Sequence, residues 1–464
     1  MIDNIIIFGY LMGILALGLW SGRNITSMEH FSVAGRSFKS LVIFATLSAS
    51  FIGGGFSIGN AEKVFLFGIV NIFALWGFSL KEILVAAFIA PRMDRFNNCI
   101  SVGDIMKRDY GTTGKVITGV FSLLLCAGIV GAQVGGIGII FNVFLDIPPK
   151  IGILIGCGIV ITYTTVGGMR AIVFTDIVQF IALGIAIPLT LYLGIQQAGG
   201  WEALREATPP SHLAIPGAEY TTLAFVSLFL TFLLGETLVP PYMQRLYIGK
   251  NARHTARGTL LSGLFSIPFF AVTGCIGLLA LAINPELDAN MSLPYVIREV
   301  LPIGIKGLVI AGVISIVMSS ADSFLNAAAI AFTHDIVKPF SKDSITPRQE
   351  LWIAKAVTLS VGIMAIIFAI RIQSVLDILI FAYNFWAPII LVPLVGTLLG
   401  VRANLWSFIG GGIAGISGVL AWNATLGEQT GVDGLVIGVF CNTVAFAFIS
   451  TFAPHADGTE NNAS

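Results

Sequence analysis

The sequence predicts an all-α polytopic membrane protein, and two observations carry that expectation. Hydrophobic residues make up 56% of the 464 and charged residues only 11%, too little polar surface to cover a soluble globule. Apolar runs of about 18 to 25 residues, long enough to cross a hydrocarbon core of roughly 30 Å as helix, recur along the whole chain. Transmembrane strands would run about ten residues with strict alternation, whereas these runs are longer and apolar all round.

About thirteen transmembrane helices are expected. They fall at 4–20, 40–60, 66–90, 116–144, 150–166, 172–197, 221–243, 258–283, 301–333, 352–371, 374–400, 404–423 and 432–453. Basic loops stay on the cytoplasmic side, and an N-terminus outside puts most of the 25 Lys and Arg residues inside. Arg23, Arg36 and Lys39, then Arg92, Arg95, Lys107 and Arg108, then Arg245, Lys250, Arg253 and Arg257, then Lys338, Lys342 and Arg348 are read as such loops. The tail at 454–464 is then cytoplasmic. The first segment has no basic stretch before it and Arg23 after it, so it reads as a retained helix and not a cleaved signal. A multi-pass plasma-membrane protein is expected, the inner membrane if the cell is bacterial.

Composition also excludes. Zero net charge and scattered basic loops give no nucleic-acid surface. Cys99, Cys126, Cys157, Cys275 and Cys441 lie mostly in apolar runs without C-x-x-C spacing, which argues against disulfides and thiolate metal sites. The five histidines fall in predicted loops without metal-ligand spacing. No nucleophile elbow or other catalytic constellation is present, so an enzyme is not expected, nor an organic cofactor or an obligatory protein partner.

Two segments are interrupted. LVIFATLSASFIGGGFSIGNAEKVF breaks near Gly53, and LAFVSLFLTFLLGETLVPPYMQRLY breaks between Gly235 and Pro241. Freed backbone groups in hydrocarbon cost several kcal/mol each, so such breaks face protein, water or a ligand. Five segments separate the starts of the two, which turns the second block upside down relative to the first. Broken helices at matching places in inverted halves point to a midplane site in a secondary transporter; glycine-rich helix packing is the alternative.

Ionisable groups within helices cost about 2.5 to 3.5 kcal/mol at the bilayer centre, which makes Asp176, Glu236, Asp322 and Asp377 candidates. Helical spacing puts Ser319, Asp322 and Ser323 on one face. Hydroxyls beside exposed carbonyls are the oxygen donors a sodium ion takes, although hydroxyls can equally bond back to their own preceding turn.

The stretch ITYTTVGGMRAIVFTDIVQF, Ile161 to Phe180, resembles the signature of the sodium:solute symporter family, and SFIGGG, PYMQR and MSSADS extend the similarity over nearly the whole chain. The resemblance implies a LeuT-type fold of two inverted five-helix repeats, here 40–197 and 221–400. One helix, 4–20, precedes them and two, within 404–453, follow. It implies no cofactor but Na+ as coupling ion, bound by carbonyls of Ala49, Ile52 and Ile316 and hydroxyls of Ser319 and Ser320. Asp176 matches an acidic residue that some relatives use in a second sodium site or near the sodium exit, with Ser319, Asp322 and Ser323 as partners here. Asp322 could instead be protonated and serve as a packing donor.

For the solute, the resemblance nominates Phe51, Phe56, Trp76, Gln133 and Glu236. Phe51 and Phe56 stand where sugar-transporting relatives carry polar side chains, which disfavours a polyol. The choline transporters are nearest by motif, but of their aromatic cage Phe51 alone is matched, and Ile129 and Val239 are aliphatic. Glu236 suits an ammonium, or alternatively caps backbone N–H groups of the restarted helix. Lys81, Glu82 and Asp377 are assigned to structural or gating pairs. The expected function is sodium-coupled symport of a small nitrogenous zwitterion or cation by alternating access. A proton-coupled carrier of the same fold and a transporter-like solute sensor are the alternatives.

Overall fold

The computed structural model describes residues 2–217, 220–341, 345–371 and 385–452. Asp377, the first part of the segment expected at 374–400 and the tail at 454–464 lie outside the described residues. Among those described, structure is helical throughout apart from turns and one isolated β-bridge, Phe38 to Gly249. Among the described residues nine helices are long and apolar enough to cross a membrane, ten if one bent pair counts as a span.

In order, α1 is Ile2–Gly22, α2 Met28–Val33, α3 Ser40–Phe51, α4 Gly54–Phe67, α5 Val70–Leu84, α6 Val102–Leu145 and α7 Pro149–Gln197. Then come α8 Trp201–Ala207, α9 Thr222–Leu234, α10 Pro240–Tyr247, α11 Ala252–Ile283, α12 Ser292–Val300 and α13 Ile305–Ile330. Besides the short helices Lys338–Phe340 and Gly427–Thr430, four more follow: α14 Pro347–Arg371, α15 Val392–Leu399, α16 Leu405–Thr425 and α17 Gly434–Phe452.

Both expected interruptions are present. Helix α3 ends at Phe51 and α4 restarts at Gly54, bent by 54°. Helix α9 stops at Leu234 and α10 restarts on Pro240 and Pro241, which have no N–H to leave unpaired in a first turn. Between them Leu238 is held at φ +56°, a left-handed conformation that a branched side chain rarely takes.

Two of the long helices are turned sharply at a glycine. Helix α6 is interrupted at Gly111, where φ is +66° and ψ −167°: the run expected from residue 116 lies beyond that turn, and the charged part before it begins at Val102, where Ser101 caps the helix by accepting from the Asp104 N–H. The segments expected at 150–166 and 172–197 lie on either side of a sharp turn in α7 at Gly168. There φ is +49°, and a Cβ would lie 2.5 Å from Phe31, so no other residue fits without displacement.

Small residues set the packing. A Cβ on Gly18 would fall 2.6 Å from Tyr163, and one on Gly22 would fall 2.3 Å from Gly167, so α1 lies directly on α7. Gly277 likewise brings α11 against the Ala61 carbonyl on α4. Helix α13 runs through the centre and is almost wholly buried. It faces α3, α6 and α7, and this places Ser319 to Ser323 opposite the α3–α4 break.

Candidate ion and solute site at the two breaks

The α3–α4 break frees carbonyls. Ile52 N–H closes the last turn onto Ser48 O at 3.0 Å, and beyond it the Ala49 and Ser50 carbonyls face α13. Ser319 Oγ donates to Ala49 O at 2.7 Å, and Ser320 Oγ to Ser50 O at 2.8 Å. Both hydroxyls also lie within 3.3 Å of Ile316 O. The structure therefore brings Ala49, Ile316, Ser319 and Ser320 into one buried cluster of oxygens. The Ile52 carbonyl is turned to Ser57, whose Oγ lies 3.5 Å away. Contact is close enough that a Cβ on Gly53 would lie 2.7 Å from Ser320 Oγ.

One helical turn along α13 is a second cluster. Asp176 Oδ2 accepts from Thr46, from Ser50 Oγ at 3.1 Å and from Arg245 Nη2 at 3.2 Å. Arg245 Nη2 also donates to Ser50 Oγ at 2.7 Å and to Ser323 Oγ. Ser323 Oγ reaches Ser319 O at 2.6 Å and Asp322 Oδ1 at 2.9 Å, and Tyr163 donates to Asp322 Oδ2 at 2.5 Å. Asp176 and Ser323 thus meet on a guanidinium expected in a basic loop, and Asp322 joins them through Ser323. Arg245 lies instead on α10 with no exposure. Asp176 Oδ1 has no hydrogen-bond partner.

The nominated solute residues divide. Phe51 is buried edge-on to Tyr242, centroids 5.2 Å apart. Phe56 packs with Phe78, Phe232 and Phe270 at 5.0 to 6.0 Å. Trp76 is drawn aside, its Nε1 donating to Ile267 O at 3.2 Å. Gln133 sits over the α3–α4 break, with Oε1 3.8 Å from where a Cβ on Gly54 would be. Glu236 is half-buried in the turn between α9 and α10.

Lys81 and Glu82 form the expected pair, 3.2 Å apart and fully buried. The Lys81 ammonium lies 3.7 Å from the Phe78 ring centroid, 4.7 Å from Tyr242 and 5.6 Å from Phe51, and Tyr242 donates to Glu82 at 3.0 Å. Glu236 adds its field to the same lysine. Beyond the break, a cavity of about 470 Å³ opens along α9, lined by Ser227, Thr231, Asn423, Glu428 and Asp433 among others.

A third polar group was hidden from sequence. Lys115 bridges Asp104 at 2.6 Å and Asp335 at 3.6 Å, and His334 lies between Asp104 and Glu350 at 3.0 and 2.6 Å. His334, expected in a loop, belongs to a π-helical turn, Ala331–Val337, that continues α13. Its partners come from helices far apart in sequence, and only packing reveals them.

The model of the sodium:solute symporter family matches residues 31–415. A high-affinity choline transporter of Drosophila melanogaster is 30% identical over 196 residues, 40% of this chain and 31% of that protein. The Homo sapiens high-affinity choline transporter is 26% identical over 336 residues, 65% and 56% of the two chains. A sodium/glucose cotransporter of Vibrio parahaemolyticus is 23% identical over 349 residues, 66% of this chain and 63% of that one. The matches to the choline transporters thus take in 31% to 56% of the relatives' length. Among solved structures, a Na+-coupled sialic acid symporter, substrate-bound and outward-open, covers 98% of both chains at TM-score 0.86 and 22% identity. The nucleobase-cation-symport-1 family transporter Mhp1, closed, covers 92% of this chain and 96% of its own at TM-score 0.62 and 15% identity. These two show a shared fold.

Proposed function

Because the chain belongs to the sodium:solute symporter family, a family of membrane transporters and not of enzymes, we propose that it couples sodium entry to uptake of a small organic solute by alternating access. The observation that carries this reading is the pairing of Ser319 and Ser320 with the carbonyls freed at the α3–α4 break. Sodium would bind there, on the Ala49, Ile52 and Ile316 carbonyls and the two hydroxyls. The hydroxyl protons would turn away from the carbonyls and leave five oxygens to the ion.

The reading includes thirteen crossings with the N-terminus outside and the tail inside, inverted repeats at 40–197 and 221–400, and residence in the plasma membrane. On this orientation the cavity along α9 is an outer vestibule and the Asp104–Lys115–Asp335–His334 network closes the inner end. Each sodium carried inward contributes about 2.3 kcal/mol per 100 mV of membrane potential, besides its concentration gradient. Sodium and solute must raise each other's affinity by the same factor for that energy to be used.

The solute is proposed to be a small nitrogenous cation or zwitterion, an amine or amino acid. Glu236 lies at the α9–α10 break, and the rings of Phe51, Phe78 and Tyr242 already hold an ammonium, that of Lys81. Choline, carried by the relatives named above, belongs to this class. Uptake into proteoliposomes tests the proposal: accumulation of such a solute should need an inward sodium gradient and should disappear in Ser319→Ala/Ser320→Ala. Accumulation driven equally by a pH gradient in sodium-free buffer would overturn it.

A further inference from the structure

We infer that Arg245 is a resident cation that fills the place of a second sodium, so that one sodium accompanies each solute. The inference rests on the proposed function and specifies its stoichiometry.

The guanidinium sits among oxygens from three helices. Ser50 on α3, Asp176 on α7 and Ser323 on α13 all meet the one nitrogen Nη2, at 2.7 Å for Ser50 and 3.2 Å for Asp176. Two hydroxyls and a carboxylate are a donor set for a small hard cation, and the neighbouring serines 319 and 320 offer the same kind of oxygen. An ordinary packing ion pair needs only Asp176. Here the guanidinium is instead inserted between hydroxyls of the helices that bear the proposed sodium site, with its other terminal nitrogen tied back to Pro241 O at 3.1 Å.

Charge supports the same assignment. The cluster holds two carboxylates, Asp176 and Asp322, and one guanidinium, all without exposure. A sodium in this cluster would have to displace Arg245 from its oxygens or add a positive charge beside the buried guanidinium, which is costly in a low-dielectric interior. Removing the guanidinium reverses this, leaving the hydroxyls of Ser50 and Ser323 and both oxygens of Asp176, including the unpartnered Oδ1, without their cation.

The test is the number of sodium ions bound by the purified full-length protein, measured with radioactive sodium at saturation. The wild type should bind one, and Ser319→Ala/Ser320→Ala none. Arg245→Ala should bind two, with the Hill slope for sodium rising from about one toward two, while Arg245→Lys should stay at one. Two ions on the wild type, or one on folded Arg245→Ala, overturns the inference and leaves sodium coupling standing. No ion on the wild type overturns the coupling proposal itself. Should Arg245→Ala fail to fold, Arg245→Ala/Asp176→Asn removes both charges and should bind one; two on that variant or on the wild type overturns the inference.

Discussion

Arg245 and Asp176, 69 residues apart in sequence, form an ion pair of 3.2 Å in which neither side chain has any exposure. Removing one partner of such a pair strands the other charge, at a cost of about 3–5 kcal/mol, whereas replacing both with apolar groups of similar volume is often neutral. Asp176→Ala should therefore lower the melting temperature of the detergent-solubilised protein sharply. Asp176→Ala/Arg245→Met should recover most of that loss, and equal losses in both variants would show that the pair is not coupled.

Sodium should stabilise the folded protein by mass action, by about 2.7 kcal/mol at a concentration one hundred times its dissociation constant. A thermal-shift titration of sodium against potassium at constant ionic strength reads this directly. The shift should vanish in Ser319→Ala/Ser320→Ala, because both side-chain oxygens are lost while Ala49 and Ile316 keep their carbonyls.

Gly53 and Gly55 stand two residues apart in the same break but differ in surroundings. A methyl group on Gly53 would press on Ser320 Oγ at 2.7 Å, whereas one on Gly55 meets nothing within 4 Å. Gly53→Ala should weaken sodium binding at least tenfold in the same titration, about 1.4 kcal/mol. Gly55→Ala should leave it unchanged.

Lys81→Met should destabilise the protein by removing the partner of the buried Glu82, which would keep only the Tyr242 hydroxyl. Lys81→Met/Glu82→Gln should restore much of the melting temperature. If the single and double variants melt alike, the aromatic rings and not the carboxylate hold the lysine.

What could be read from the sequence was whatever is signalled within one stretch of chain. A glycine triplet or proline pair inside an apolar run marks a break locally, and Ser319, Asp322 and Ser323 share a face by helical spacing alone. Arg245 carries no such signal. It follows a proline pair and precedes Lys250, Arg253 and Arg257, so a local count of charge assigns it to a loop, although its partners are contributed by α3, α7 and α13. Lys115 and His334 were missed for the same reason. Trp76, reached through the family resemblance, is turned toward Ile267, a direction that depends on how α5 packs against α11.

The hydroxyls of Ser319 and Ser320 donate to the carbonyls of Ala49 and Ser50. A carrier that works in cycles has to travel back unloaded, and bare carbonyls buried during that journey would make the unloaded form expensive to close. Here the serines supply their own protons as a placeholder. With the proposed sodium site, the break serves the idle half of the cycle as well as the loaded one, and the speed of resetting should depend on the same two hydroxyls.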